Sequence, residues 1–121
     1  MDEARLNLAV KSIEGAAVVE AEGELGPWTT EAFGAALDEV VGSESDLVIL
    51  DLTKVKSMDV GALAALRNAC SALGPDRKLC AIAEGEARKL LELTRFDEVV
   101  SVFPEIKQAF AQSKGRTGKA G

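Results

Sequence analysis

The stretch Leu47–Leu73, LVILDLTKVKSMDVGALAALRNACSAL, constrains the fold more than any other part of the chain. Leu47–Val48–Ile49–Leu50 is an unbroken apolar run, the pattern of a parallel strand covered on both faces. Ala62, Leu63, Leu66, Ala69, Cys70 and Leu73 then recur at helical spacing, with Arg67 and Asn68 off the stripe. Between the two runs lies Ser57–Met58–Asp59–Val60–Gly61, a short passage from strand to helix. Asp59 is suited to be the N-cap, its carboxylate accepting a first-turn N–H. Val60, Gly61 and Ala62 then form the first turn, at the positive end of the helix dipole. On this reading Asp51 closes the strand.

The flanking segments fit the same architecture. Arg5–Lys11 alternates, with Leu6, Leu8 and Val10 on one face, as an edge strand does. Ile13–Glu14–Gly15 turns it, and Ala16–Glu22 returns antiparallel in a hairpin. After Glu24–Leu25–Gly26–Pro27–Trp28, Phe33, Ala36, Leu37, Val40 and Val41 define a helix in which Pro27 can take a first-turn position. Trp28 is expected to lie half-buried against this helix; the competing reading is an exposed anchor for a partner. Leu79–Ala83 reads as a strand. A helix follows, with Ala87, Leu90, Leu91 and Thr94 inward and Arg88, Lys89 and Arg95 outward. Val99–Phe103 is the last strand, and Pro104 opens a closing helix with Ile106, Ala109 and Phe110 inward. The order β-β-α-β-α-β-α-β-α predicts a single α/β domain: a mostly parallel sheet with one antiparallel edge strand at its N-terminal end. The domain is expected over 1–113, followed by a basic, solvated tail over 114–121.

Charge and residue usage narrow the function. The 121 residues carry a net charge of −6 and are 47% apolar, which excludes a disordered chain. Lys114, Arg116 and Lys119 lie in a tail without acids, so removing them from the net −6 leaves −9 on the body. Such a body repels nucleic acid and anionic lipid and fits soluble protein partners. The first residues lack the basic and apolar regions of a signal peptide, and no apolar run reaches the length of a membrane span. A cytoplasmic location is expected. Cys70 and Cys80 are read as reduced core residues, and without histidine they offer no structural zinc site.

Little in the chain suggests catalysis. Histidine and tyrosine are absent, and no glycine-rich phosphate loop follows a strand. Asp51 and Asp59 could be imagined as a metal-binding pair, but closing a strand and capping a helix account for them. Thr53 and Ser57 have no neighbouring base to activate them. Neither a cofactor nor a metal is expected.

Asp51–Leu52–Thr53–Lys54–Val55–Lys56–Ser57–Met58–Asp59, followed by a small residue and an apolar helix, resembles the signature of STAS domains. This family is named for sulfate transporters and anti-sigma factor antagonists. Gly23–Glu24–Leu25 resembles the family's Gly-Glu-Leu-Asp after the second strand. Glu86–Phe96 resembles its third helix, and Val99–Phe110 its ending.

The resemblance implies a partner-binding regulator rather than an enzyme. The partner would be an anti-sigma factor of the serine-kinase type or a related regulator. In such family members the second serine of an Asp-Ser-Ser-Gly motif, at the start of the second helix, is phosphorylated and the complex released. Here the two serines align with Val60 and Gly61, the following glycine with Ala62, and the Asp of Gly-Glu-Leu-Asp with Gly26. The implied docking surface comprises Gly26, Trp28, Ser57, Met58, Asp59, Val60, Gly61 and Ala62, without the regulatory hydroxyl. Two alternatives stay open. Phosphorylation could have moved to Ser57 or Thr53, or the domain could be an accessory subunit of a lipid-transport ABC system.

Overall fold

The computed structural model describes residues 6–112. Arg5 at the head of the first strand, the end of the domain at residue 113 and the basic tail over 114–121 therefore lie outside the described residues. The elements are β1 (Leu6–Ile13), β2 (Ala16–Leu25), α1 (Thr30–Val41), β3 (Leu47–Met58), α2 (Val60–Leu73), β4 (Lys78–Ile82), α3 (Gly85–Leu93), a 3-10 turn (Phe96–Glu98) and β5 (Ser101–Phe103). A last helix, α4, covers 106–112. The five strands lie in sequence order, β1-β2-β3-β4-β5. β1 runs antiparallel to β2, and every later pairing is parallel.

This order dictates the layering. Each βαβ crossover is right-handed, so helices whose strands step always in one direction fall on the same face of the sheet. Accordingly Phe33, Leu37 and Val40 of α1, Leu63, Leu66 and Leu73 of α2, and Ala87 and Leu91 of α3 share one cluster with Val19, Val48, Leu50 and Ala81. The opposite face is covered at one end by α4. Its Ala109 is buried with Val18, Ile49, Cys80 and Ile82, and Ile106 and Phe110 pack against them. The strands covered on both faces, β3 and β4, carry the continuous apolar runs. The β1–β2 turn needs positive φ at two successive residues, and Glu14 (50°) and Gly15 (86°) supply it.

Several boundaries differ from the sequence reading. β3 does not end at Asp51 but continues to Met58, because β2 keeps pairing with it as far as Leu25, through two register irregularities. β4 follows only as far as Asp51. Asp51 thus lies within the strand rather than closing it, and its carboxylate accepts from the Thr53 N–H (3.0 Å) and hydroxyl (2.7 Å). β5 starts at Ser101 rather than Val99, since the left-handed Arg95 (φ 63°) ends α3 and starts the 3-10 turn. Arg95 is therefore off α3, and Thr94 is exposed, its hydroxyl donating to the Leu90 carbonyl (2.8 Å). Pro27 sits in a turn ahead of α1. Val10 is exposed, outside the cluster that Leu6 and Leu8 join. Cys80 is buried, whereas Cys70 is only half-buried; no disulfide joins them. Burial pushes the Cys70 thiol pKa up, and the nearby Arg67 charge opposes this. No helix among the described residues is long and apolar enough to cross a membrane.

Arg77 joins α1 to the β3–β4 side of the fold. Its Nη1 donates to the Val41 carbonyl (2.7 Å), Nη2 to Val40 (3.2 Å) and Ser43 (2.9 Å), and Nε to Ser45 (2.9 Å). A cation at a helix C-terminus meets both unsatisfied carbonyls and the negative end of the dipole. Arg77→Ala is expected to destabilise the domain by about 2 kcal/mol, since hydrogen bonds from a charged donor are lost and carbonyls are left without it. Arg77→Lys should recover less than half, lacking the planar fork. Urea denaturation of the three proteins checks both values.

Candidate functional site at the start of α2

The parallel pair β2 and β3 brings Leu25 opposite Met58, so both strands end at one level. Asp59 follows in an extended conformation (φ −115°, ψ −177°). Its N–H donates to the Leu25 carbonyl (2.9 Å), and its own carbonyl accepts from Ala62 (3.2 Å) and Leu63 (3.3 Å). Its carboxylate also accepts the Ala62 N–H at 3.2 Å. The expected N-cap is therefore in place, and one residue fastens the end of β2 to the start of α2.

From Leu25 the chain turns into α1 through a tightly bonded loop. The Gly26 carbonyl accepts from the N–H groups of Thr29 (3.0 Å) and Thr30 (3.1 Å). It also accepts from the Thr30 hydroxyl at 2.8 Å. The Thr29 hydroxyl accepts the Gly26 N–H (3.0 Å) and donates to the Glu24 carbonyl (2.6 Å). Only 7% of Thr29 is exposed. These bonds leave Trp28 pointing away from the body. Trp28 is 85% exposed, which overturns the expectation that it is half-buried against α1. The backbone turn closed by Thr29 and Thr30 holds the tryptophan outside the apolar face of the helix.

The α2 tip is equally bare. Val60 is 77% exposed. A Cβ built on Gly61 would lie 3.1 Å from the Thr30 hydroxyl oxygen and 3.4 Å from an Asp59 carboxylate oxygen. The start of α1 thus closes directly on the start of α2. Of the other residues singled out in the sequence, Ser57 is exposed and Met58 half-buried beside a cleft of about 170 Å³ that Leu90 and Glu86 also line. Ala62 is 1% exposed, so its side chain belongs to the core and only its N–H serves the tip. Thr53 is held by Asp51 five residues before Met58, roughly 17 Å away along an extended strand.

Sequence reasoning missed Leu25, Thr29 and Thr30. The tandem threonines ahead of an apolar helix were a readable helix-start signal. Their use in holding the loop depends on contacts that sequence periodicity does not carry. Among the described residues no group of three Cys, Asp or Glu side chains is placed to hold a metal.

Comparison with known proteins defines the class. The model of the STAS domain family matches residues 7–109, and the chain belongs to that family. An anti-sigma factor antagonist from Mycobacterium paratuberculosis is 25% identical. The similarity covers 89% of this chain and 93% of that one, with a TM-score of 0.84. An anti-sigma factor antagonist STAS domain protein from Planctomyces limnophilus superposes with a TM-score of 0.75 at 14% identity, over 87% of this chain and 95% of that one. The unphosphorylated form of the antagonist SpoIIAA of Bacillus gives 0.68 at 12% identity, over 90% and 99%. Among curated proteins none matches.

Asp59→Ala is expected to lower stability by about 1 kcal/mol through loss of the cap. Asp59→Asn, which keeps a capping oxygen, should restore most of it. Thermal unfolding of the three proteins measures the difference.

Proposed function

We propose that this chain is a non-catalytic regulator of the anti-sigma factor antagonist kind. It acts in the cytoplasm and captures an anti-sigma factor of the serine-kinase type through the α2 tip and the adjoining 26–28 loop. The observation that carries this reading is one surface: Trp28 and Val60, both largely exposed, stand on two segments that Asp59 ties together. An exposed tryptophan on a rigid loop supplies apolar area with little entropy to lose on docking, and tryptophan is enriched among residues that dominate binding energy. Glycine at position 61 leaves no side-chain hydroxyl there to be phosphorylated. The 25% identical antagonist from Mycobacterium paratuberculosis supports the class of partner.

The body's negative charge agrees with a protein partner rather than nucleic acid. Docking would bury the Trp28 indole and place Val60 and the backbone of Gly61 against the partner, with Ser57 and Met58 at the border.

The test is binding of the cognate anti-sigma factor, followed by calorimetry. Trp28→Ala should weaken it by about 2 kcal/mol or more, roughly 30-fold. Gly61→Glu, which sets a carboxylate beside Asp59, should weaken it as well. Lys89→Ala, on the outer face of α3, should bind as the wild type does. Wild-type affinity in both Trp28→Ala and Gly61→Glu would overturn the proposed surface.

A further inference from the structure

We propose that the cleft between α4 and the β4–β5 edge of the sheet binds a small amphiphilic carboxylate, an unbranched aliphatic acid whose head meets Lys78 and whose chain lies on the apolar bed. The cleft is on the side of the sheet opposite α1, α2 and α3. It is therefore separate from the docking surface and does not rest on it.

The strand register builds the cleft. Side chains alternate along a strand, so Lys78, Cys80 and Ile82 of β4 share the α4 side. The parallel pairings set Leu47 beside Lys78, Ser101 beside Cys80 and Phe103 beside Ile82. α4 buries its Ala109 with Val18, Ile49, Cys80 and Ile82. Toward β5 it leaves an open cleft of about 440 Å³. Small-molecule sites span about 300–1,000 Å³. The cleft beside Met58, at about 170 Å³, is less than half as large.

The lining divides by chemistry. Leu47, Cys80 and Ala109 are buried and Phe103 is half-buried, which makes the bed apolar. The exposed Lys78, Ser101 and Gln112 border it. Among the described residues Lys78 is the one charged group that lines the cleft, and no carboxylate pairs with its ammonium. In a chain of net charge −6, an apolar cleft whose charge is a lone cation selects for an anion. An ammonium, a hydroxyl and a side-chain amide can all donate to the two oxygens of a carboxylate. One cation without a glycine-rich loop does not suit a polyphosphate.

Lys78 is also firmly placed. Its N–H donates to the Asp46 carbonyl (2.9 Å), and the adjoining Arg77 grips the carbonyls of residues 40–45. The chain beyond Gln112 is a poor occupant on its chemistry. Residues 113–121 read SKGRTGKAG, with three cations and no large apolar side chain. They have nothing to fill the bed and would bring like charges to Lys78.

The experiment titrates the full chain with sodium decanoate, below the concentration at which it forms micelles, by calorimetry and by amide NMR. The expected result is saturable one-to-one binding with a Kd of about 10–100 μM. Shifts should centre on Leu47, Cys80, Phe103 and Ala109 and spare Trp28. Octanoate, two methylenes shorter, should bind about tenfold more weakly. Decyltrimethylammonium, with the same chain and the opposite charge, should bind at least about tenfold more weakly, as should decanoate to Lys78→Gln. Ser101→Phe, which fills the cleft from an exposed position, should abolish binding while its unfolding temperature stays that of the wild type. Absence of saturable binding, equal affinity for the cationic amphiphile, or unchanged affinity in both Lys78→Gln and Ser101→Phe would each overturn the inference. Sedimentation with vesicles of phosphatidylglycerol and phosphatidylcholine in equal parts, without binding of free decanoate, would assign the cleft to a membrane surface and also overturn it.

Discussion

The fold meets its proposed docking surface at one backbone hydrogen bond, from the Asp59 N–H to the Leu25 carbonyl. It joins the last residue of β2 to the residue that caps α2. Together with the carboxylate on the Ala62 N–H, it fixes the direction in which α2 leaves the sheet. These are small terms, each about 1 kcal/mol against a total stability of about 5–15 kcal/mol. Their importance is therefore positional. They hold two chain segments, far apart in sequence, within one rigid patch.

The sheet topology explains why the patch forms at that end. In a parallel sheet the carboxyl ends of the strands and the N-termini of the following helices gather along one edge, which is where such folds bind ligands. Here β2 and β3 end level with each other, at Leu25 and Met58, and α1 and α2 begin just beyond them. Because α1, α2 and α3 share one face, α1 and α2 pack side by side, and Thr30 comes against Gly61. Gly61 allows this close approach. Any side chain there must share its space with the Thr30 hydroxyl and methyl groups, as the 3.1 and 3.6 Å spacings require.

Much of this was legible in the sequence for identifiable reasons. The Leu47–Leu50 run and the Ala62–Leu73 stripe each had a clean period, and Asp59 stood where a cap belongs between them. The full length of β3 was not legible, because Lys54, Lys56 and Ser57 break the apolar pattern where β4 no longer pairs and only β2 supports the strand. The exposure of Trp28 was hidden for a different reason. A single aromatic in a loop has no periodic neighbours to assign it a face, and the bonds that turn it outward come from Thr29 and Thr30. The contact of Thr30 with Gly61 is tertiary, between helices separated by a strand, and no local pattern encodes it. Arg77 was equally silent, since its four acceptors are carbonyls of residues 40–45.

Trp28 is the only tryptophan in the chain, so its fluorescence reports on the proposed surface without labelling. The most direct measurement is acrylamide quenching and emission wavelength of the free protein and of its complex with a tryptophan-free form of the cognate anti-sigma factor. The account predicts red-shifted, readily quenched emission in the free chain, then a blue shift and strong protection at saturation. A tryptophan already shielded in the free protein, or one still fully quenchable in the saturated complex, would contradict it.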